Sequence, residues 1–177
     1  MSRIYLDHNA STPIHPIAQK AYQDGLSQYG NPSSIHQEGQ SAKVSIENAR
    51  DQISSYLDCE SERLIFTSSG TESNATILYG KSLTKLCNQE PVHIITSTSE
   101  HACILNTCSY LETLGATISY VPCNNLGQIN PQDIKNAIQK DTCLISIMYA
   151  NNETGVIQDI QSISTIAHEY AIDCHSD

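Results

Sequence analysis

Leu64-Ile65-Phe66-Thr67-Ser68-Ser69-Gly70-Thr71-Glu72-Ser73-Asn74, residues 64–74, is the stretch that decides the fold. A short apolar run gives way to small hydroxyl residues and one glycine, and these lead into a helix pattern. Strand, tight turn and helix N-terminus in that order begin a βα unit. A helix start carries unpaired N–H groups and the positive end of the helix dipole, which together attract phosphate. Gly70 lets the backbone approach a ligand closely and Thr71 adds a hydroxyl donor. A plain capping box, Ser69 with Glu72 three residues on, explains the same residues. The Gly-Lys-Ser/Thr ending of a P-loop is missing.

Downstream, the alternation continues. Further short β-branched runs are His93–Thr96, Ile118–Val121, Cys143–Met148 and Ile172–His175. They suit strands buried between helices. Ile104, Cys108 and Leu111, followed by Gly115, predict a helix with a C-terminal glycine. Asn130-Pro131 marks another helix start. Ile160, Ile163, Ala167 and Tyr170, with Asp159 in front, predict a capped helix. Upstream of the deciding stretch, Ala42, Ile46, Ala49, Ile53 and Leu57 recur at helical spacing. The expected architecture is α/β, a mainly parallel sheet with flanking helices. Residues 1–60 form an N-terminal arm with helices, and 61–177 begin the sheet.

Composition agrees. The 177 residues are 39% hydrophobic and 16% charged, a globular balance. A formal net charge of −10 argues against nucleic acid and anionic membrane as partners. Seven cysteines without a C-x-x-C pair read as reduced, mostly buried thiols. No apolar stretch approaches the length of a membrane span, and the opening lacks a signal-peptide core, so a cytoplasmic location is expected.

In open parallel sheets ligands bind at the carboxyl ends of the strands. Ser97-Thr98-Ser99-Glu100-His101 follows the second run; its histidine suits ring stacking and proton transfer, or is a surface loop residue. Tyr149-Ala150-Asn151-Asn152-Glu153-Thr154-Gly155 follows the fourth run; its amides can donate without changing charge, or make an ordinary turn. His175-Ser176-Asp177 ends the last; its carboxylate suits a protonated ring nitrogen, or is a frayed terminus. A phosphate cradle, a histidine, an amide and a carboxylate together match a planar phosphorylated pyridine.

These segments resemble the cysteine desulfurase and selenocysteine lyase group of class-V, fold-type I pyridoxal-phosphate (PLP) enzymes. Ile4–Pro13 is similar to the opening strand and loop of that group, and Gly30-Asn31-Pro32-Ser33-Ser34 with His36 to its next signature. Phe66–Asn74, Thr98–His101, Asn151–Gly155 and His175–Asp177 are similar to its phosphate, histidine, asparagine and aspartate segments. The resemblance implies that Gly70 and Thr71 bind phosphate and that His101, the catalytic residue, stacks on the ring. It implies that Asn152 donates to the phenolic oxygen and Asp177 holds the pyridine nitrogen. No metal is implied. The implied reaction removes sulfur from L-cysteine, giving alanine and an enzyme persulfide, in a homodimer that feeds an iron–sulfur scaffold or other acceptor. The family's Schiff-base lysine and persulfide cysteine match none of the lysines or cysteines here. The chain is therefore expected to be the N-terminal part of the PLP domain, stopping before the last strands, and inactive alone. An aminotransferase or lyase acting on another amino acid, and a non-enzymatic remnant binding a partner subunit, remain the alternatives.

Overall fold

The computed structural model describes residues 3–177. Two units emerge, Met1–Phe66 and Thr67–Asp177. The second unit contains a four-stranded, wholly parallel sheet: β1 (His93–Ser97), β2 (Thr117–Val121), β3 (Thr142–Ser146) and β4 (Asp173–His175), in the order β2-β1-β3-β4. Four helices alternate with them: α3 (Gly70–Cys87), α4 (Ala102–Thr113), α5 (Pro131–Ala137) and α6 (Ile160–Glu169).

Strand periodicity sorts the core. Ile94 and Leu144 point to one face and pack with Leu78 of α3 and Ile104, Cys108 and Leu111 of α4. Their neighbours Ile95 and Ile145 point to the other face, against Ile134 of α5 and Ile163 and Ala167 of α6. Because both faces are covered, β1 is buried along its whole length. The helix starts follow their local chemistry. Asn130 accepts from Gln132 N–H ahead of Pro131, and Asp159 accepts from Ser162 N–H. Gly115, at φ 101°, reverses the chain after α4.

At the amino end of the sheet, buried His93 joins three strands. Its Nδ1 lies 2.7 Å from Thr142 Oγ1 of β3 and its Nε2 lies 2.9 Å from Ser119 Oγ of β2. Burial pushes its pKa down, which favours the neutral ring.

The first unit holds α1 (Pro16–Gly25), α2 (Gln37–Leu57) and a 3₁₀ turn at Ser61–Arg63. The Gly30–Ser34 turn packs on the first turn of α2. A Cβ at Gly39 would come within 2.6 Å of Asn31 O and 2.7 Å of Ser34 O, so glycine is required there. The helix expected from Ala42, Ile46, Ala49, Ile53 and Leu57 forms, but Ile46, Ile53 and Leu57 stay exposed.

Two expectations are corrected. Leu64–Thr67 is not a strand. Arg50 donates to the Leu64 carbonyl, its guanidinium lies 4.9 Å from the Phe66 ring centroid, and Ile65 is 78% exposed. With no strand beside it among the described residues, the segment has no ladder to join. The thiols are not mostly buried either: Cys108 is buried, while Cys59, Cys87 and Cys174 are exposed. Those three follow a helix cap, end a helix and lie on an edge strand, where packing is one-sided. All seven are free.

Leu144 is only 1% exposed in the core between sheet and helices. Leu144→Ala is expected to cost about 2–5 kcal/mol in urea denaturation, and Ile65→Ala to stay within about 0.5 kcal/mol. Equal effects at the two positions would contradict this packing.

Candidate active site at the carboxyl ends of the strands

A parallel sheet delivers all its carboxyl ends to one edge, and four segments meet there. The first is the start of α3. Ser69 Oγ accepts from Glu72 N–H at 3.2 Å. The Glu72 carboxylate reaches back one residue further than in a standard capping box, accepting from Ser68 N–H at 2.6 Å and from its hydroxyl at 2.5 Å. Those bonds hold the Glu72 carboxyl below its usual pKa. The N–H groups of Gly70 and Thr71 take no partner among the described residues. A Cβ at Gly70 would meet nothing within 4 Å, so the space before these donors is open.

The second segment follows β1. His101 is the N-cap of α4, its Nδ1 accepting from Cys103 N–H at 3.2 Å. The same nitrogen lies 3.0 Å from Cys103 Sγ. Buried Asn74, on the first turns of α3, donates to that sulfur at 3.2 Å. Thr71 lies one turn ahead of Asn74 on the same helix, so this contact brings the start of α3 against the start of α4.

Between these groups and the core sits Glu100, 6% exposed. Ser97 Oγ donates to it at 2.6 Å, and Met148 N–H donates to both its oxygens at 3.1 and 3.0 Å. Burial drives its pKa up to about 7, the two hydrogen bonds oppose that rise, and the Asp177 charge adds to it.

The third segment is the loop after β3. Asn151, not Asn152, anchors it. Asn151 Nδ2 donates to Ser99 O at 3.0 Å, and its Oδ1 accepts from the N–H groups of Glu153 and Thr154 at 3.0 and 2.8 Å. Asn152 is exposed and its amide makes no hydrogen bond among the described residues. The fourth segment follows β4. His175 Nδ1 lies 2.9 Å from Ser146 Oγ of β3, and burial lowers the His175 pKa against the pull of Asp177. Asp177 is not frayed, since its carbonyl accepts from Tyr149 N–H at 3.1 Å and prolongs the β3–β4 ladder.

The structure therefore brings one ligand atom each from His101, Cys103 and Asp177 within 4.8 Å of one another. Gly70 and Thr71 precede Asn74, the α3 residue that reaches Cys103, and Asn152 follows Asn151, the residue that bonds Ser99. Sequence reasoning missed Asn74, Cys103, Glu100 and Asn151. Cys103 and Glu100 flank His101 directly, and a carboxylate straight after a buried strand was the available signal for Glu100.

Glu100 has a pH signature. Its folded pKa is about 7 against an ordinary 4.5, so the folded state holds the proton through that window. Its contribution is most favourable below pH 4.5 and is lost as pH rises to about 7, on the order of 3 kcal/mol in all. Thermal melts of wild type and Glu100→Gln are expected to diverge from pH 5 to about 7.5, the wild type losing ground. Parallel curves would contradict an ionising carboxyl at this position.

The aminotransferase class-V family model matches residues 4–177. A cysteine desulfurase IscS from Dictyoglomus turgidum is 44% identical over 175 residues, covering 98% of this chain and 44% of that protein. Among solved structures, one described as SspA in complex with cysteine superposes with a TM-score of 0.93 at 35% identity, covering 98% of this chain and 50% of its own. A NifS-like protein superposes with a TM-score of 0.94 at 32% identity, covering 99% and 49%. The chain thus spans about half the length of the proteins it matches, along an α/β architecture it shares with them, and it belongs to the aminotransferase class-V family.

Proposed function

We propose that these residues form the cofactor-side half of a PLP-dependent cysteine desulfurase site. The observation that carries the reading is the meeting of His101 and Asp177 at the carboxyl edge of a parallel sheet, beside the open start of α3. The donor set fits the cofactor. Gly70 and Thr71 offer two unpartnered N–H groups and a hydroxyl to a phosphate at a helix N-terminus. Asp177 offers a carboxylate to a pyridinium nitrogen, and the exposed His101 ring offers a face for stacking. Asn152 offers an uncommitted amide to a phenolic oxygen.

When bound, PLP supplies an electron sink that labilises bonds at the α-carbon of an amino acid. The chain's own residues hold and orient. His101 is fixed at its Nδ1 by the first turn of α4, which leaves Nε2 to move a proton. Buried Glu100 ties the ends of β1 and β3 together and so sets the spacing between the His101 and Asn151 loops. The substrate is L-cysteine, in keeping with the desulfurase relatives and with a solved neighbour described in complex with cysteine. The sulfur passes to an iron–sulfur scaffold or another acceptor protein, and the working enzyme is a homodimer.

None of the lysines in the second unit approaches this edge. Lys81 pairs with Asp173 at the start of β4, and Lys135 pairs with Glu169 at the end of α6. Lys85 and Lys140 border Thr142 at the start of β3. The 177-residue chain is therefore expected to take up PLP loosely and reversibly, with inorganic phosphate competing and Thr71→Ala weakening uptake. A single stoichiometric lysine adduct after borohydride reduction and peptide mapping would refute this. In a preparation releasing alanine and sulfide from L-cysteine, His101→Ala is expected to lower kcat about 10²-fold or more. Undiminished turnover would remove His101 from the chemistry.

A further inference from the structure

Asn152 is exposed and its amide bonds nothing among the described residues, so only the backbone that carries it sets its place. That backbone is a short antiparallel hairpin. Asn151 N–H donates to Val156 O at 2.9 Å, Gly155 N–H to Asn151 O at 2.8 Å and Gln158 N–H to Tyr149 O at 2.9 Å, with Ala150 opposite Ile157. Two strands alone make a marginal structure in water, so the hairpin depends on its anchors. One arm is tied through Asn151 to Ser99, after β1. The other arm ends in Gln158, which is 3% exposed. Its Oε1 accepts from Ile129 N–H at 2.9 Å and its Nε2 donates to Gly127 O at 2.8 Å. One of these partners can only donate and the other can only accept. The amide therefore sits one way round, and neither a carboxylate nor an apolar side chain replaces it.

We infer that Gln158 is a positioning residue of the proposed desulfurase site: it locks the Asn152 hairpin to the turn after β2 and so presents the Asn152 amide to the phenolic oxygen of the cofactor. The inference rests on the PLP reading and deepens it. The turn that receives Gln158 is a firm support. Asn124 Oδ1 accepts from Leu126 N–H at 2.8 Å and from Gln128 N–H at 3.1 Å, and Gly127 N–H donates to Asn124 O at 2.9 Å. Gly127 has φ 77°, and a Cβ there would come within 3.2 Å of Val156 Cγ2, so the second arm lies directly on this turn. Asn151 and Gln158 thus tie the two arms to the loops after two different strands, and the tip between them inherits its position from both. An apolar side chain at 158 would leave a buried N–H and a buried carbonyl without partners, and the hairpin would loosen to reach water.

The test titrates the 177-residue chain with pyridoxine phosphate, which keeps the phosphate, ring nitrogen and phenolic oxygen but has no aldehyde to form lysine adducts. Binding is read by calorimetry. Asn152→Ala and Gln158→Leu are each expected to weaken it about three- to tenfold, the worth of one hydrogen bond. The double variant is expected to bind no more weakly than Asn152→Ala alone, because Gln158 acts through Asn152. An analogue without the ring hydroxyl is expected to bind the wild type and all these variants alike. Ile163→Val, a trim of the buried core, is expected to leave affinity unchanged, which separates positioning from a general loss of stability. Without any ligand, the amides of Gly155 and Gln158 are expected to exchange faster in Gln158→Leu while that of Ile95 in β1 keeps its rate. If Gln158→Leu loses its helical circular dichroism, Gln158→Glu, which keeps the acceptor for Ile129 N–H, takes its place with the same expectations. Unaltered affinity in the Gln158 variant, a loss that adds to that of Asn152→Ala, or an equal loss with the hydroxyl-free analogue would each overturn the inference and leave the cofactor reading standing. No binding by the wild type would overturn both.

Discussion

A buried carboxylate holds the carboxyl ends of the two central strands together. Glu100 takes a hydroxyl from Ser97 at the end of β1 and the Met148 N–H just beyond β3. Burying such a group is costly unless it is hydrogen-bonded, and here both of its oxygens accept bonds. The loops on either side then inherit their positions. His101 caps α4 one residue after Glu100, and Asn151 bonds Ser99 one residue before it. An apolar residue in this place would leave the Met148 N–H unpartnered at the mouth of the sheet.

The two ends of the sheet have different chemistry for one topological reason. With four parallel strands, every residue following a strand collects at one edge and every residue preceding one at the other. The amino edge is closed structurally, by neutral His93 between two hydroxyls and by the Lys81–Asp173 pair. The carboxyl edge gathers an imidazole, a thiol, a carboxylate and, at the start of α3, two N–H groups without a partner among the described residues. Lys81, Lys85 and Lys140 lie toward the amino edge, and Lys135 pairs with Glu169 at the end of α6, which leaves the carboxyl edge without a lysine of this unit.

Features that depend on near neighbours along the chain were legible in the residues alone. Helix starts were legible from Asn130-Pro131, Asp159 and Ser69, because capping is decided within three or four residues. Strands β1 to β4 were legible from short β-branched runs between them, and the parallel order followed from the alternation. His101 and Asp177 stood out as polar residues ending such runs. Tertiary structure decided what depends on partners far along the chain. Leu64–Thr67 reads as a strand, but a strand exists only beside another, and Arg50 took its first carbonyl instead. The choice of Asn151 over Asn152 as loop anchor was set by Ser99, 52 residues away, and alternation cannot resolve adjacent identical residues. Asn74 and Cys103 were invisible as a pair because 29 residues separate them, and only the packing of α3 against α4 brings amide to sulfur.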